Sequence, residues 1–326
     1  MKTHSTLHPY INRYLALKRA LGRRYADAGR VLEHLNQFLI HVKAKDLNQE
    51  TFSEWSKTQR VNSGVLRGRM GIVRNLCLYR RRTEPDCFVP DERLFPVARP
   101  HAPPHIFRKI EIARLIQAAD KLKPLTRYPL RPHALRLALV LLYTTGLRRG
   151  ELLKLVIGDY DPQGRTLLVR ESKFHKSRYL PLSSDAVCEI ETYLRARRKQ
   201  HLPLACETPL IWYGYAPLRP HTGTGFTGGV KELLCRCRIR TPEGRLPRIH
   251  DFRHTFAVHA LLRWYESGAD IHVKLPLLAT YMGHISPIST EYYLPFVEGL
   301  ASAASERFQA YCGSLVTTTP NPNGGK

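Results

Sequence analysis

Acidic side chains are scarce in this sequence. Its 326 residues hold 27 Asp+Glu against 51 Lys+Arg, a formal net charge of +24. Such an imbalance favours a polyanionic partner and makes binding salt-sensitive. The excess is not confined to a tail, which argues against a merely basic protein: the first hundred residues alone carry 19 Lys+Arg and 9 Asp+Glu. Long apolar runs are also missing. The most apolar stretch, Ala134 to Tyr143, is interrupted by Arg136 and is too short to span a bilayer. The N-terminal MKTHSTLHPYINRYL has no apolar core of the signal-peptide kind. Neither membrane insertion nor a membrane partner is expected. Cysteine occurs seven times, an odd number without a disulfide-like pattern, which fits a reducing, cytoplasmic location. There is no internal repeat. The hydrophobic fraction of 43% is enough for an ordinary packed core.

Helical periodicity dominates what is present. Leu7, Ile11, Tyr14 and Leu15 share one face, and Ala28, Leu32, Leu35, Leu39 and Val42 share another. Thr51 and Glu54 have capping-box spacing ahead of a short helix holding Trp55. A further helix is expected over about Ser63 to Arg82, with Val65, Ile72, Leu76 and Tyr79 inward. Its other side carries Arg67, Arg74 and Arg81, spaced seven apart and so nearly aligned. That stripe reads either as a solvated face or as a set of DNA contacts. Pro85, Pro90, Pro96, Pro100, Pro103 and Pro104 leave little room for helix or sheet, so residues 83–105 are expected to be a linker. Beyond it, a Leu-rich helix runs into Gly146. A hairpin follows, with Leu167–Val169 and Tyr179–Leu182 flanking a polar segment, and then mainly helix. The expected organisation is a helical domain over 1–82, a linker over 83–105, a second domain over 106–312 and a disordered tail over 313–326. The fold class is mainly α, the second domain being mostly helical with a small antiparallel β-sheet.

Four segments carry residues suited to phosphoryl transfer from DNA to a side chain. That chemistry needs a nucleophile, positive charge on the non-bridging oxygens and an acid for the departing 5′ oxygen. Arg148 sits at a helix–helix junction, where a guanidinium can grip a phosphate near a helix N-terminus, and Glu151 can orient it. Lys173 lies in the hairpin's polar segment, with Lys176 as its local competitor, and a charged turn is the commoner use of such residues. His250, Arg253 and His254 share a helical face. Tyr292 and Tyr293 follow His284 by less than ten residues. A tyrosine, with a pKa of about 10, needs cationic neighbours to attack.

Other constellations are missing. His250 and His254 stand four apart, but there is no HExxH glutamate and no apparent third ligand. Cys235 and Cys237 do not form a CxxC pair, and no carboxylate cluster suggests a metal-dependent nuclease. Neither a metal nor another cofactor is expected. Gly223 to Gly228 matches GxGxxG literally, but Pro217 and Pro220 separate it from the strand candidate Leu210 to Tyr213, so it reads as a loop leading to a helix.

Together the four segments resemble the tyrosine recombinase, or phage integrase, family. TGLRRGELL is similar to its first-arginine box. Lys173, followed by Arg178 and Pro181-Leu182, resembles its hairpin lysine box. HDFRHTFA resembles its HxxR box, and MGHISPISTEYY its box with the glycine–histidine pair and the nucleophile. Met282 stands where leucine is common. All four boxes occur in order over about 150 residues, a far more specific signal than any one of them. The N-terminal half resembles the family only loosely, as a helical core-binding domain.

The resemblance implies a site-specific recombinase that serves a mobile element and forms a 3′-phosphotyrosine. Arg148, Arg253 and His284 would hold the scissile phosphate, Lys173 would be the general acid, His250 would assist, and Tyr293 would attack. Tyr293 rather than Tyr292 falls at the family's usual spacing. The resemblance further implies two domains clamping double-stranded DNA and a homotetramer acting on two duplexes, with room for a partner recombinase or a DNA-bending protein. The competing readings are a sequence-specific DNA-binding protein without catalysis and a type IB topoisomerase-like enzyme.

Overall fold

The computed structural model describes residues 5–23, 25–97, 102–126, 128–170, 177–212, 222–283 and Tyr293. The chain divides into two compact units, Met1–Ala102 and Pro103–Lys326.

Among the described residues the first unit holds four α-helices: α1 (His8–Ala20), α2 (Ala26–His41), α3 (Gln49–Thr58) and α4 (Ser63–Arg80). The stripes read from the sequence form its core, with Leu7, Ile11, Leu32, Leu35, Leu39, Trp55, Val73 and Leu76 buried. Two positions differ. Val42 and Val65 are exposed, because one lies just past the end of α2 and the other in the first turn of α4. The capping box of α3 is formed by Asn48 and Thr51, not by Thr51 and Glu54. Asn48 Oδ1 accepts the Thr51 amide at 2.9 Å, and Thr51 Oγ1 accepts the Asn48 amide at 3.0 Å.

Much of the proline-rich stretch packs onto this first unit. Phe95 is buried, and Phe88 and Val89 pack against the same core. Two arginines of α4 and Arg81, which follows its last residue, hold the stretch by its carbonyls. Arg81 Nε donates to the Pro85 carbonyl at 3.3 Å, Arg74 Nη1 to that of Pro90 at 2.6 Å, and Arg67 Nη1 to that of Pro96 at 3.0 Å. Arg74 is also paired with Glu92 at 2.9 Å. The seven-residue spacing aligns these guanidiniums along α4, and the stretch runs antiparallel to the helix, meeting them in reverse order. Proline carbonyls suit this use because a segment with few amides has few internal bonds to compete.

The second unit contains α5 (Lys109–Asp120), α6 (Arg131–Thr145), α7 (Arg149–Leu152), β1 (Tyr160–Asp161), β2 (Thr166–Val169), β3 (Arg178–Pro181), α8 (Ser184–Lys199), α9 (Gly223–Arg236), α10 (His250–Glu266) and α11 (Ile271–Met282). The strands form an antiparallel sheet in the order β1-β2-β3, with Leu168 opposite Tyr179. Strand β1 is too short to show in the sequence. Helix α6 is buried on nearly every side, which fits its almost continuous apolar composition. The glycines of the GxGxxG stretch lie within α9, not in a loop before it. Thr222 caps that helix by accepting the Gly225 amide at 3.1 Å, and the missing side chain of Gly229 makes room for Leu135. A second apolar cluster joins α10 to α11 and includes Ala257, Leu261, Leu278, Met282 and Tyr293.

Candidate active site

Helix α6 ends at Gly146, whose φ of +62° is the left-handed C-cap that glycine adopts without strain. A β-carbon there would also lie 2.5 Å from Cδ1 of Phe256. This turn frees the Gly146 carbonyl and delivers Arg148 to the start of α7. Glu151, one turn on, accepts the Arg148 amide at 3.0 Å through Oε2 and Arg148 Nη1 at 2.7 Å through Oε1.

The buried carboxylate of Glu151 is shared. Arg178, the first residue of β3, approaches it with Nη2 at 2.9 Å from Oε2 and Nη1 at 3.3 Å from Oε1. Burial by itself would raise the pKa of Glu151. The hydrogen bonds and charges of Arg178 and Arg148 outweigh that effect and bring it down to about 2, so the group is ionised at neutral pH.

The C-terminal end of α11 supplies the other acceptors. Its last carbonyls have no intrahelical partner and carry the negative end of the helix dipole. The Tyr281 carbonyl accepts Arg178 Nε at 2.8 Å, that of Met282 accepts Arg253 Nη2 at 2.6 Å, and that of Gly283 accepts Arg148 Nη2 at 3.1 Å. Arg253, 1% exposed, also donates through Nη1 to the Gly146 carbonyl at 2.7 Å. Burial and then the charge of Arg148 draw its pKa down to about 10, opposed by Tyr293 and Glu151. It is still a cation at neutral pH. Three guanidiniums around one carboxylate leave a local charge of +2. That excess matches a phosphoryl transition state, whose negative charge is spread over the non-bridging oxygens.

His250 opens α10 beside this cluster. Burial of its ring, followed by the charges of Arg253 and Arg148, lowers its pKa and favours a neutral imidazole. One turn on, the His254 ring meets that of His250 edge-on at 4.8 Å and that of Tyr293 at 5.3 Å. Tyr293 is 3% exposed, packed in the apolar cluster of α10 and α11. The fold therefore brings Arg148, Glu151, Arg253, His250 and Tyr293 together. Lys173, Lys176, His284 and Tyr292 lie outside the described residues.

Two members of the cluster had no such role in the sequence. Arg178 was visible beside the lysine box, but nothing local showed that it reaches Glu151. The sequence puts His254 on the face of His250 and Arg253, but nothing local shows that its ring meets Tyr293. Beyond His250, a cavity of about 780 Å³ is lined by Arg149, Lys231, Arg240, Arg245 and Arg248 over an apolar floor. Among the described residues no helix is long and apolar enough to cross a membrane.

The sequence pattern of the phage integrase family matches residues 105–296. A putative integrase/recombinase of Sinorhizobium fredii, y4rB, is 30% identical over 310 residues, covering 94% of this chain and 98% of its own length. The tyrosine recombinase XerC 2 of Ralstonia nicotianae is 32% identical over 198 residues, 60% of this chain and 51% of that protein. Among solved structures, XerH recombinase in a post-cleavage complex with a palindromic difH substrate superposes with a TM-score of 0.61 at 17% identity, covering 86% of this chain and 78% of that one. The Tn1549 transposon integrase in complex with transposon right-end DNA gives 0.59 at 17% identity, with 87% and 94% covered. These two share the fold of this chain. On the family match and the nearly full-length relative, the chain belongs to the phage integrase family of tyrosine recombinases.

Proposed function

We propose that this protein is a site-specific recombinase that breaks and rejoins double-stranded DNA through Tyr293. The observation that carries the reading is the arrangement around Arg253. Buried Arg253 lies beside Arg148 in the cluster of net charge +2, and Tyr293 stands next to it. The Tyr293 hydroxyl oxygen attacks phosphorus, the bond from phosphorus to the 5′ oxygen breaks, and a 3′-phosphotyrosine results. Arg148 and Arg253 stabilise the non-bridging oxygens, with His284 as a third donor. Neutral His250 accepts the tyrosine proton or hydrogen-bonds the phosphate. Lys173 gives a proton to the departing oxygen.

The basic cavity beyond His250 extends the positive surface toward neighbouring phosphates. A homotetramer on two sites fits an exchange of strands between duplexes, and a partner recombinase or DNA-bending protein can complete it. The names of the relatives, an integrase/recombinase and a transposon integrase, support service to a mobile element.

The test uses a recombination site selected by binding from a random duplex pool. A nicked duplex carrying that site should trap the wild-type protein covalently at a 3′ end. Tyr293→Phe should bind the same DNA and form no adduct. An adduct that survives in Tyr293→Phe and vanishes in Tyr292→Phe moves the nucleophile by one residue. Relaxation of supercoils without exchange between two duplexes would assign the chain to topoisomerase chemistry.

A further inference from the structure

We infer that Arg178 is a positioning residue that sets both the placement and the effective charge of Arg148. The inference rests on the reading of the site as a phosphoryl-transfer centre. Arg178 is largely buried, and its three donating nitrogens are all engaged within the protein: Nη1 and Nη2 on Glu151, and Nε on the Tyr281 carbonyl. One planar group thus joins the start of β3, the carboxylate at α7 and the end of α11. Each of these elements leads to a residue of the proposed chemistry. Lys173 lies five residues before Arg178 in the chain, Arg148 shares Glu151 with it, and the α11 end continues toward His284 and Tyr293.

Two observations show that the site is built around this guanidinium. Gly283 has a φ of +68°, and a β-carbon there would lie 2.9 Å from Arg178 Nη1, so the absent side chain leaves the space Arg178 fills. Glu151 is bonded to both arginines and is ionised. Without Arg178, its full negative charge would fall to Arg148, and the cluster would drop from +2 to +1 just where a phosphate needs compensation. A lysine is a poor substitute. Its single ammonium cannot form two parallel bonds to a carboxylate while also reaching a carbonyl behind it.

The test combines kinetics with a readout that needs no chemistry. On the nicked duplex, Arg178→Ala should form the adduct about 10²-fold more slowly, the scale of loss expected from misplaced catalytic groups, while DNA affinity changes little. Arg178→Lys should recover less than tenfold of this, and it carries the test if the alanine variant fails to fold. In an Arg148→Ala background, adding Arg178→Ala should cost no more than about threefold, because residues acting through one another are not additive. A full 10²-fold penalty in that background, or a wild-type rate in Arg178→Lys, overturns the inference. Hydrogen exchange supplies the second readout. Either Arg178 variant should speed amide exchange both at the start of α7 and at the end of α11, though these segments are far apart in sequence. Unchanged exchange at both places also overturns it. If wild-type protein forms no adduct while exchange behaves as expected, the reading of the centre fails and the positioning role stands.

Discussion

The ring of Tyr293 meets that of His254 edge-on, with centroids 5.3 Å apart and planes at 65°. An edge-to-face pair of this kind adds roughly 0.5–1.5 kcal/mol beyond area burial. Burial of His254, followed by the neighbouring His250, lowers its pKa to about 4, so the ring beside the proposed nucleophile is neutral at working pH.

A pH dependence of stability follows. An unfolded histidine titrates near 6.5, and His254 in the folded protein near 4. Between those values the unfolded chain binds the extra proton, so acid favours unfolding. The stability that depends on neutral His254 is complete above pH 6.5, falls as pH drops through that window and is fully lost below about 4. His250 and His259 shift in the same direction. The comparison of wild type with His254→Gln therefore isolates the effect. Melting temperatures from pH 7.5 to 4 should fall less steeply for the variant. Parallel curves would mean that His254 titrates normally.

Gly146→Ala should be damaging for two separable reasons. The left-handed backbone costs a non-glycine residue about 1–2 kcal/mol, and the added methyl collides with Phe256. Shortening the obstacle in Gly146→Ala/Phe256→Ala should remove part of the collision and none of the backbone penalty. Because the Gly146 carbonyl holds Arg253, adduct formation by the single variant should slow by more than its lost stability explains. Chemical denaturation and single-turnover cleavage check the two halves.

Lys173 is expected to be the general acid on the strength of the family resemblance. Alkoxide departure is slow near neutral pH, and a positioned donor contributes about 10²–10⁴-fold. Lys173→Ala should therefore cleave ordinary DNA slowly. It should approach the wild-type rate on DNA with sulfur as the 5′ bridging atom, since a thiolate leaves without protonation. Arg148→Ala should gain nothing from sulfur, because its loss concerns the non-bridging oxygens. Rescue of Lys176→Ala or His250→Ala in place of Lys173→Ala would reassign the donor.

Arg67, Arg74 and Arg81 have two candidate uses, and one triple-alanine variant tells them apart. As clamps on the proline-rich stretch, their loss should speed proteolytic cutting within residues 85–97. As DNA contacts, each loss should reduce the slope of log K against log salt by about 0.9 on duplex DNA. We expect faster cutting, and a slope change only for those guanidiniums whose remaining N–H groups also reach phosphate. A wild-type cutting pattern would show that the carbonyl bonds contribute nothing to holding the stretch.

Residue identity and local spacing carried much of this protein's reading. The order of the four boxes named the chemistry, because cations, a proton donor and a tyrosine are what phosphoryl transfer to protein requires. Helical periodicity found α1, α2 and α4, since burial of one face repeats every turn, whereas α6 showed as a Leu-rich run. Gly146 announced its turn because few other residues adopt that backbone. What depended on distant pairing could not be read this way. Arg178 meets the Tyr281 carbonyl across 103 residues and Glu151 across 27, and Arg253 meets that of Gly146 across 107. No local pattern encodes those separations. The stripe on α4 was legible as three aligned arginines, but its partner was set by the path of the chain after Arg81. The same guanidiniums serve solvent, phosphate or carbonyl according to what the fold lays beside them. Only the tertiary structure decided that carbonyls of residues 85–96 lie there.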